Sequence, residues 1–204
     1  MKTLLLTLLI LFMVFSLPAQ NATLREPPIL KDEVCLNQEE LKLYELLMDH
    51  RKAHHLPPIP LSLNLSWVAQ AHGFDLQENK PDSKNCNMHS WSGQGPWKAC
   101  CYADGHENDP HCMWDKPSEF TEYQGAGYEI VFRYWPVVGK VPLAENALKG
   151  WQGSPGHNNI ILNKGLFHEA TWKAIGIGIV EGYVIVWFGE ETDAEGPPAI
   201  CDYN

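Results

Sequence analysis

Six cysteines limit what this chain can fold into more than any other feature: Cys35, Cys86, Cys100, Cys101, Cys112 and Cys201. An even number in an exported chain implies up to three disulfides. Four of the six crowd between Cys86 and Cys112, which marks that region as a stapled loop whose cysteines pair among themselves. Cys35 and Cys201 are left to clip the two ends of the mature chain together. Closing so long a loop contributes on the order of 4 kcal/mol in the chain-entropy treatment. Adjacent Cys100 and Cys101 are expected to take different partners, because a bond between neighbours strains the backbone.

Export is read from the start of the chain. Met1-Lys2 supplies a positive end, residues 4–17 are almost wholly apolar, and Ser16 or Ala19 stands where cleavage would follow. This is the pattern of a secretory signal peptide over residues 1–19, with a retained N-terminal anchor as the alternative. The apolar run is short for a membrane span, and no later stretch is long and apolar enough to cross a bilayer. What remains of the 204 residues suits one domain. An arm over 20–34 carries Pro27 and Pro28, and the domain follows over 35–204. The formal net charge of −10 argues against nucleic acid or an anionic membrane as a main partner, since both need a basic face. Asn21-Ala22-Thr23 and Asn64-Leu65-Ser66 are acceptor patterns for N-glycosylation. Asn64 also stands where a helix cap would.

Local patterns then set the elements. Asn37 followed by Glu40 predicts a capped helix start. Leu41, Tyr44, Leu47 and Met48 recur behind it at helical spacing, until Pro57, Pro58 and Pro60 break the chain. A second amphipathic helix is expected from about Ser66, with Trp67, Val68, Ala71, Phe74 and Leu76 toward a core. Residues 80–124 are rich in Cys, Trp, Pro, Gly and Asp and lack periodicity. A loop of that length needs its disulfides to be ordered. Residues 128–135 read as a strand or a short helix. Residues 144–151 read as a short helix ended by a Gly153-Ser154-Pro155-Gly156 turn. "AIGIGIVEGYVIVWFGE" is two β-rich runs about Glu181-Gly182, a hairpin signal. Helices first and an antiparallel hairpin last make an α+β layered domain.

The ordered segments "LSWVAQAHGFDL", "NMHS", "GYEI", "SPGHNNIIL", "AIGIG" and "YVIVWFG" resemble a known family. This is the CAP superfamily, which contains cysteine-rich secretory proteins, insect venom antigens and plant pathogenesis-related proteins. The likeness runs from Leu36 to Glu190. It implies a three-layer α-β-α sandwich with a central, mainly antiparallel sheet, here disulfide-stapled and carrying a Cys-rich insertion at about 86–124. In that family two histidines and two acids converge in a central cleft, and some members bind a divalent metal there. The resemblance puts the first histidine at His89, the first acid at Glu129 and the second histidine at His157. The second acid falls at Ser154, three residues after Trp151, which is a departure. Glu145 lies on the same helix, six residues before Trp151, and does not substitute. The ligand cleft is therefore His89, Glu129, Ser154 and His157. Its metal-ligating set is His89, Glu129 and His157, which would suit zinc with water in the remaining position.

Other candidate residues carry plainer readings. His72, among apolar neighbours on the second helix, reads as a core or interhelical histidine. "GHENDPHC" with His106 and His111 reads as part of a disulfide loop rather than a metal site. "FHEATW", with His168 and Glu169, reads as a solvated turn inserted relative to the family. There is no Gly-x-Ser-x-Gly elbow. Ser90 beside His89, or Ser154 three before His157, is the nearest approach to a serine–histidine pair, with Glu129 the acid to orient either imidazole. No residue is assigned as catalytic. The function expected is a secreted, non-enzymatic domain binding a lipid, sterol, glycan or protein at the cleft, with no certain cofactor beyond possible zinc. The alternatives are a metal-assisted or serine-dependent hydrolase using the same cleft, and a structural extracellular domain whose cleft is a relic.

Overall fold

The computed structural model describes residues 25–103, 110–135, 139 and 141–202. The signal-peptide segment, Asn21 and His106 lie outside them. The first helix, α1 (Gln38–Ala53), begins as its sequence dictates. The Asn37 side chain accepts from the Glu39 and Glu40 amides, and Glu40 accepts from the Asn37 amide at 2.8 Å. Glu40 reaches further than a cap. Its other oxygen accepts from the Ile179 amide at 2.9 Å and from Gln70 at 3.2 Å. One carboxylate thus ties α1 to a second helix and to a strand, and burial pushes its pKa up to about 7. The buried stripe of α1 is Glu40, Leu43, Leu47 and Arg51. Leu41, Tyr44 and Met48 flank it and are half-buried.

Helix α2 (Leu63–Asn79) starts three residues earlier than the periodicity suggests. Its cap is Ser62, which accepts from the Leu65 amide at 2.9 Å. Asn64 is 1% exposed and donates to Asp193 at 2.9 Å. It is neither a cap nor a glycan acceptor that the folded chain presents. Trp67 and Phe74 are half-buried, whereas Leu65, Val68, Ala69, Ala71, His72 and Leu76 are buried.

The strands are β1 (Cys35–Leu36), β2 (Gly127–Arg133), β3 (Ala174–Val180), β4 (Tyr183–Gly189) and β5 (Ala199–Ile200). β2, β4 and β3 form an antiparallel sheet in that order. β1 and β5 form a separate parallel pair, which the Cys35–Cys201 disulfide locks. In the hairpin between β3 and β4, Glu181 (φ 48°) and Gly182 (φ 95°) both take the left-handed region, as a tight primed turn requires.

β4 is buried along its whole length, because helices cover both faces. Val184, Val186 and Phe188 point into a core with Leu43 and Leu47 of α1. Helices α5 (Leu143–Gln152) and α6 (Pro155–Ile161) close the same core through Ala147, Trp151, Ile160 and Ile161. Tyr183, Ile185 and Trp187 point the other way, into a core with Leu65, Val68, Ala69 and Leu76 of α2. This is the layered α+β sandwich expected. α2 approaches β3 closely because Gly176 and Gly178 carry no side chains. A Cβ on Gly176 would stand 2.0 Å from the Leu65 carbonyl carbon, and one on Gly178 2.5 Å from that of Ala69. Gly176→Ala should therefore cost about 2–3 kcal/mol, since the obstruction is backbone that cannot swing away. Chemical denaturation checks it; a cost below about 1 kcal/mol would mean that the layers slide apart freely.

Residues 128–135 take the strand alternative, as β2, which ends at Arg133. Two differences concern local elements. The turn at 153–156 is instead the start of α6, with Ser154 at its N-cap position and Pro155 in its first turn. A proline is favourable there, because it has no amide proton to leave unsatisfied. The Cys-rich segment is more than a stapled loop. It contains two short helices, α3 (His111–Trp114) and α4 (Lys116–Phe120). Trp91, Trp97, Met113 and Tyr123 from this segment pack into the α2-side core. Lys116, 1% exposed, donates to the Lys98 carbonyl and to Glu119, both at 2.7 Å. The bonds are Cys86–Cys101 and Cys100–Cys112, so the adjacent cysteines do take different partners, and Cys35 pairs with Cys201. The described part of the arm is docked: Trp67 donates to the Ile29 carbonyl at 2.8 Å, and Val34 is buried.

Candidate functional site

Glu129 is the centre of the site, and its position follows from strand periodicity. Tyr128 and Ile130 face the α1 side; Glu129 and Val131 face the α2 side. An ionised carboxylate so placed must find partners or lose its charge. It finds two imidazoles. His72 Nδ1 stands 2.5 Å from Oε1, and His89 Nδ1 stands 2.8 Å from Oε2. The Glu129 and His72 side chains are fully buried; that of His89 is 22% exposed.

The protonation of His72 can be read from its neighbours. Nε2 faces the Ser90 carbonyl at 3.0 Å, which can only accept, so Nε2 donates. Nδ1 faces a carboxylate, so it donates as well, and the ring is an imidazolium. Burial alone would lower the His72 pKa. The Glu129 charge and hydrogen bond, with the Ser90 carbonyl, outweigh burial and raise it. For Glu129, burial alone would raise the pKa, and the His72 charge and the hydrogen bonds from both imidazoles bring it down. The His72 ring also lies flat on Trp91, with centroids 4.1 Å apart and planes 8° from parallel.

The Cys-rich segment aims His89. The His89 amide donates to Asn87 Oδ1 at 2.9 Å, and the Asn87 amide donates to the Tyr102 carbonyl at 2.7 Å. The Cys86–Cys101 disulfide and the pairing of Trp91 with Cys100 close the same short ladder. Ser90 is spent inside it. Its hydroxyl donates to the Tyr102 carbonyl at 3.1 Å and accepts the Tyr102 amide at 2.9 Å. It is fully buried and is no nucleophile.

His157 comes from the first turn of α6, where Ser154 Oγ lies 2.8 Å from its Nδ1. The Ser154 hydroxyl donates when the ring proton sits on Nε2. Burial lowers the His157 pKa first, and the nearby His89 charge lowers it further, so this imidazole is held neutral while His72 is held charged. His89, Glu129, Ser154 and His157 all line one cavity of about 320 Å³. Its remaining wall is aromatic and apolar: Tyr102, Trp114, Tyr128, Ile130, Ile160 and Phe167. That wall has no signature in the sequence, and the core reading of His72 lacks its role as the ion partner of Glu129. The available signal was the glutamate inside "YEIVF". A charge in a strand buried on both faces demands a cation near it.

The zinc-ligating set does not fit this geometry. Both oxygens of Glu129 are occupied by imidazole protons, and each cleft histidine commits Nδ1 to a neighbour. Only the two Nε2 atoms remain, short of the three protein ligands that zinc sites use. Among the described residues no group of three or more His, Cys, Asp or Glu is arranged to hold a metal ion. Glu145 is exposed on α5 and lines none of this cavity. His111 pairs with Asp115 at the surface, and His168 with Glu169.

No protein-family model matches the sequence, and no curated protein matches it. Solved structures do. An extracellular protein containing an SCP domain from Bacillus anthracis is 17% identical with a TM-score of 0.50, over 75% of this chain and 40% of that one. An outer surface protein of Borrelia burgdorferi is 18% identical with a TM-score of 0.50, over 76% of this chain and 94% of that one. This chain thus spans well under half of the Bacillus protein, and the likeness is one of architecture. The chain has the SCP-domain fold, the fold of the CAP superfamily.

Proposed function

We propose that this protein is an exported domain that binds an apolar or amphipathic small ligand in the cavity beneath His89, Glu129, Ser154 and His157, and does not turn it over. The observation that carries this is the engagement of Glu129. With an imidazole on each oxygen and its pKa held below the usual carboxylate value, Glu129 is a poor general base, while the wall around it is aromatic and apolar, as ligand pockets are. Export is supported by the three disulfides, by the signal-like start, and by the extracellular and outer-surface proteins that share the fold. Among the described residues no helix is long and apolar enough to cross a membrane.

Gly156 offers a clean test. It lines the cavity, and a Cβ there would meet no atom within 4 Å. Gly156→Phe should fill the cavity from the rim without disturbing α6. In thermal-shift titrations against fatty acids, sterols and short oligosaccharides, the unmodified protein should respond to one class and the variant should not. Identical responses would remove the ligand from this cavity.

A second reading rests on one contact, the Ser154–His157 pair at 2.8 Å, which has the nucleophile–base geometry of a hydrolase. Its weakness is the split between pairs. The orienting acid is on His89, and the serine is on His157. Ester turnover abolished by Ser154→Ala would favour this reading over simple binding.

A further inference from the structure

Past the imidazoles the cavity runs on into a second one of about 590 Å³, which shares Trp114, Tyr128, Leu166 and Phe167 with the first and adds Glu169 and Glu190. The three rings are not stacked. Trp114 and Tyr128 have centroids 5.2 Å apart and planes inclined at 54°, and Tyr128 and Phe167 are 5.7 Å apart at 80°. Rings so inclined make adjoining walls of a box. Buried Trp172 packs against both Tyr128, at 5.4 Å, and Phe167, at 5.8 Å, so two of the three rings are fixed by the core.

The charged side chains that line this box are both acidic, and Glu169 meets His168 at the surface. Its lining includes two carboxylates and no lysine or arginine. Glu190 is anchored, because its Oε2 accepts the Thr171 amide at 3.2 Å. Its charge, after burial, helps to hold the Tyr128 hydroxyl above its usual pKa. Ring faces carry a negative quadrupole, and two carboxylates at the mouth add to it, so the cavity favours a cation. A primary ammonium loses too much hydration in an aromatic box. A trimethylammonium group is weakly hydrated and presents methyl groups to the rings.

We propose that the Trp114–Tyr128–Phe167 box, with Glu169 and Glu190 at its mouth, binds a quaternary ammonium group of the choline class. This site adjoins the cavity under His89 and His157 and does not depend on what occupies that end. Two sources share the chemistry, free choline and the headgroup of a phosphatidylcholine surface.

Choline chloride titrated into the intact protein, with sodium chloride as the ionic control, should quench tryptophan fluorescence with a dissociation constant in the millimolar range. The neutral isostere 3,3-dimethylbutanol should bind at least about fivefold more weakly, the factor that one cation–π contact supplies. The E169Q/E190Q double variant should weaken choline binding by about the same factor and leave dimethylbutanol unchanged. Flotation with phosphatidylcholine vesicles, against phosphatidylglycerol vesicles, separates the sources. Choline binding without flotation assigns a free cation, and selective flotation with phosphatidylcholine assigns the headgroup. Equal binding of choline and its isostere would make the box merely apolar and overturn the proposal, as would no response in either arm. The isostere comparison needs no variant, so it stands even if the double substitution unfolds. Loss of ligand binding in Gly156→Phe with choline binding retained would separate this site from its neighbour.

Discussion

Glu129→Ala should destabilise the folded domain by about 3–5 kcal/mol, the cost of leaving a buried charge without its partner. The charge left behind is His72, fully buried between Trp91 and the strand. The size should depend on pH. The Glu129 pKa is lowered from 4.5, so its contribution is full above that value and is lost as pH falls through the lower folded-state one. The His72 pKa is raised from 6.5, so its contribution is full below 6.5 and is lost as pH rises through the higher folded-state one. The pair therefore stabilises most between about pH 4.5 and 6.5. The gap between parent and variant should be widest there and should narrow as pH rises through the raised His72 pKa of the parent, while in the variant burial, with no carboxylate to oppose it, lowers the His72 pKa and leaves a neutral ring with only its Ser90 contact. Denaturant melts at pH 5, 7 and 9 measure it. A gap below 1 kcal/mol, or one independent of pH, would mean that His72 and Glu129 share no buried charge. His72→Leu combined with Glu129→Leu should recover much of the loss, since apolar side chains of similar volume often replace a buried ion pair without penalty.

Removing the Cys35–Cys201 bond should cost about 4–5 kcal/mol, because it closes a loop of 166 residues and so restrains the unfolded chain strongly. It also holds the β1–β5 pair, in which the Cys201 amide donates to the Leu36 carbonyl at 3.0 Å. Removing Cys86–Cys101, with a separation of 15, should cost less, about 3 kcal/mol. The order reverses for the site. Cys86–Cys101 supports the turn that aims His89, so its loss should weaken cavity ligands while the Cys35/Cys201 variant, at a temperature where it is folded, binds as before. Paired alanine variants followed by denaturation and ligand titration test both halves. Equal losses of stability, or of binding, would undo the assignment.

Much of the fold was legible because it rests on short-range chemistry. Asn37 and Glu40 are three residues apart, and that spacing alone makes a capping box. Glu181-Gly182 between two alternating runs makes a hairpin. The cysteine spacing led to the terminal clip and the inner cluster. Other elements were illegible for the same reason. The Cys-rich segment has no period, because its order comes from Trp91 and Lys116 packing against distant partners. The start of α6 reads as a turn because Ser154-Pro155-Gly156 has the composition of one, although serine before proline is also how a helix begins.

The site divides in the same way. The resemblance to the CAP superfamily is what marks His89, Glu129 and His157, with Ser154 in place of an acid; the spacing of these residues marks none of them. What Glu129 does follows from how the layers pack. Its partner His72 lies 57 positions earlier in the chain, on a helix that two glycines allow to settle against the sheet. A hydrogen bond between residues so separated depends on how layers pack, and no local pattern encodes that. Once both carboxylate oxygens are taken by imidazoles, a set of residues that reads as a metal site becomes a buried ion pair beside an aromatic cavity.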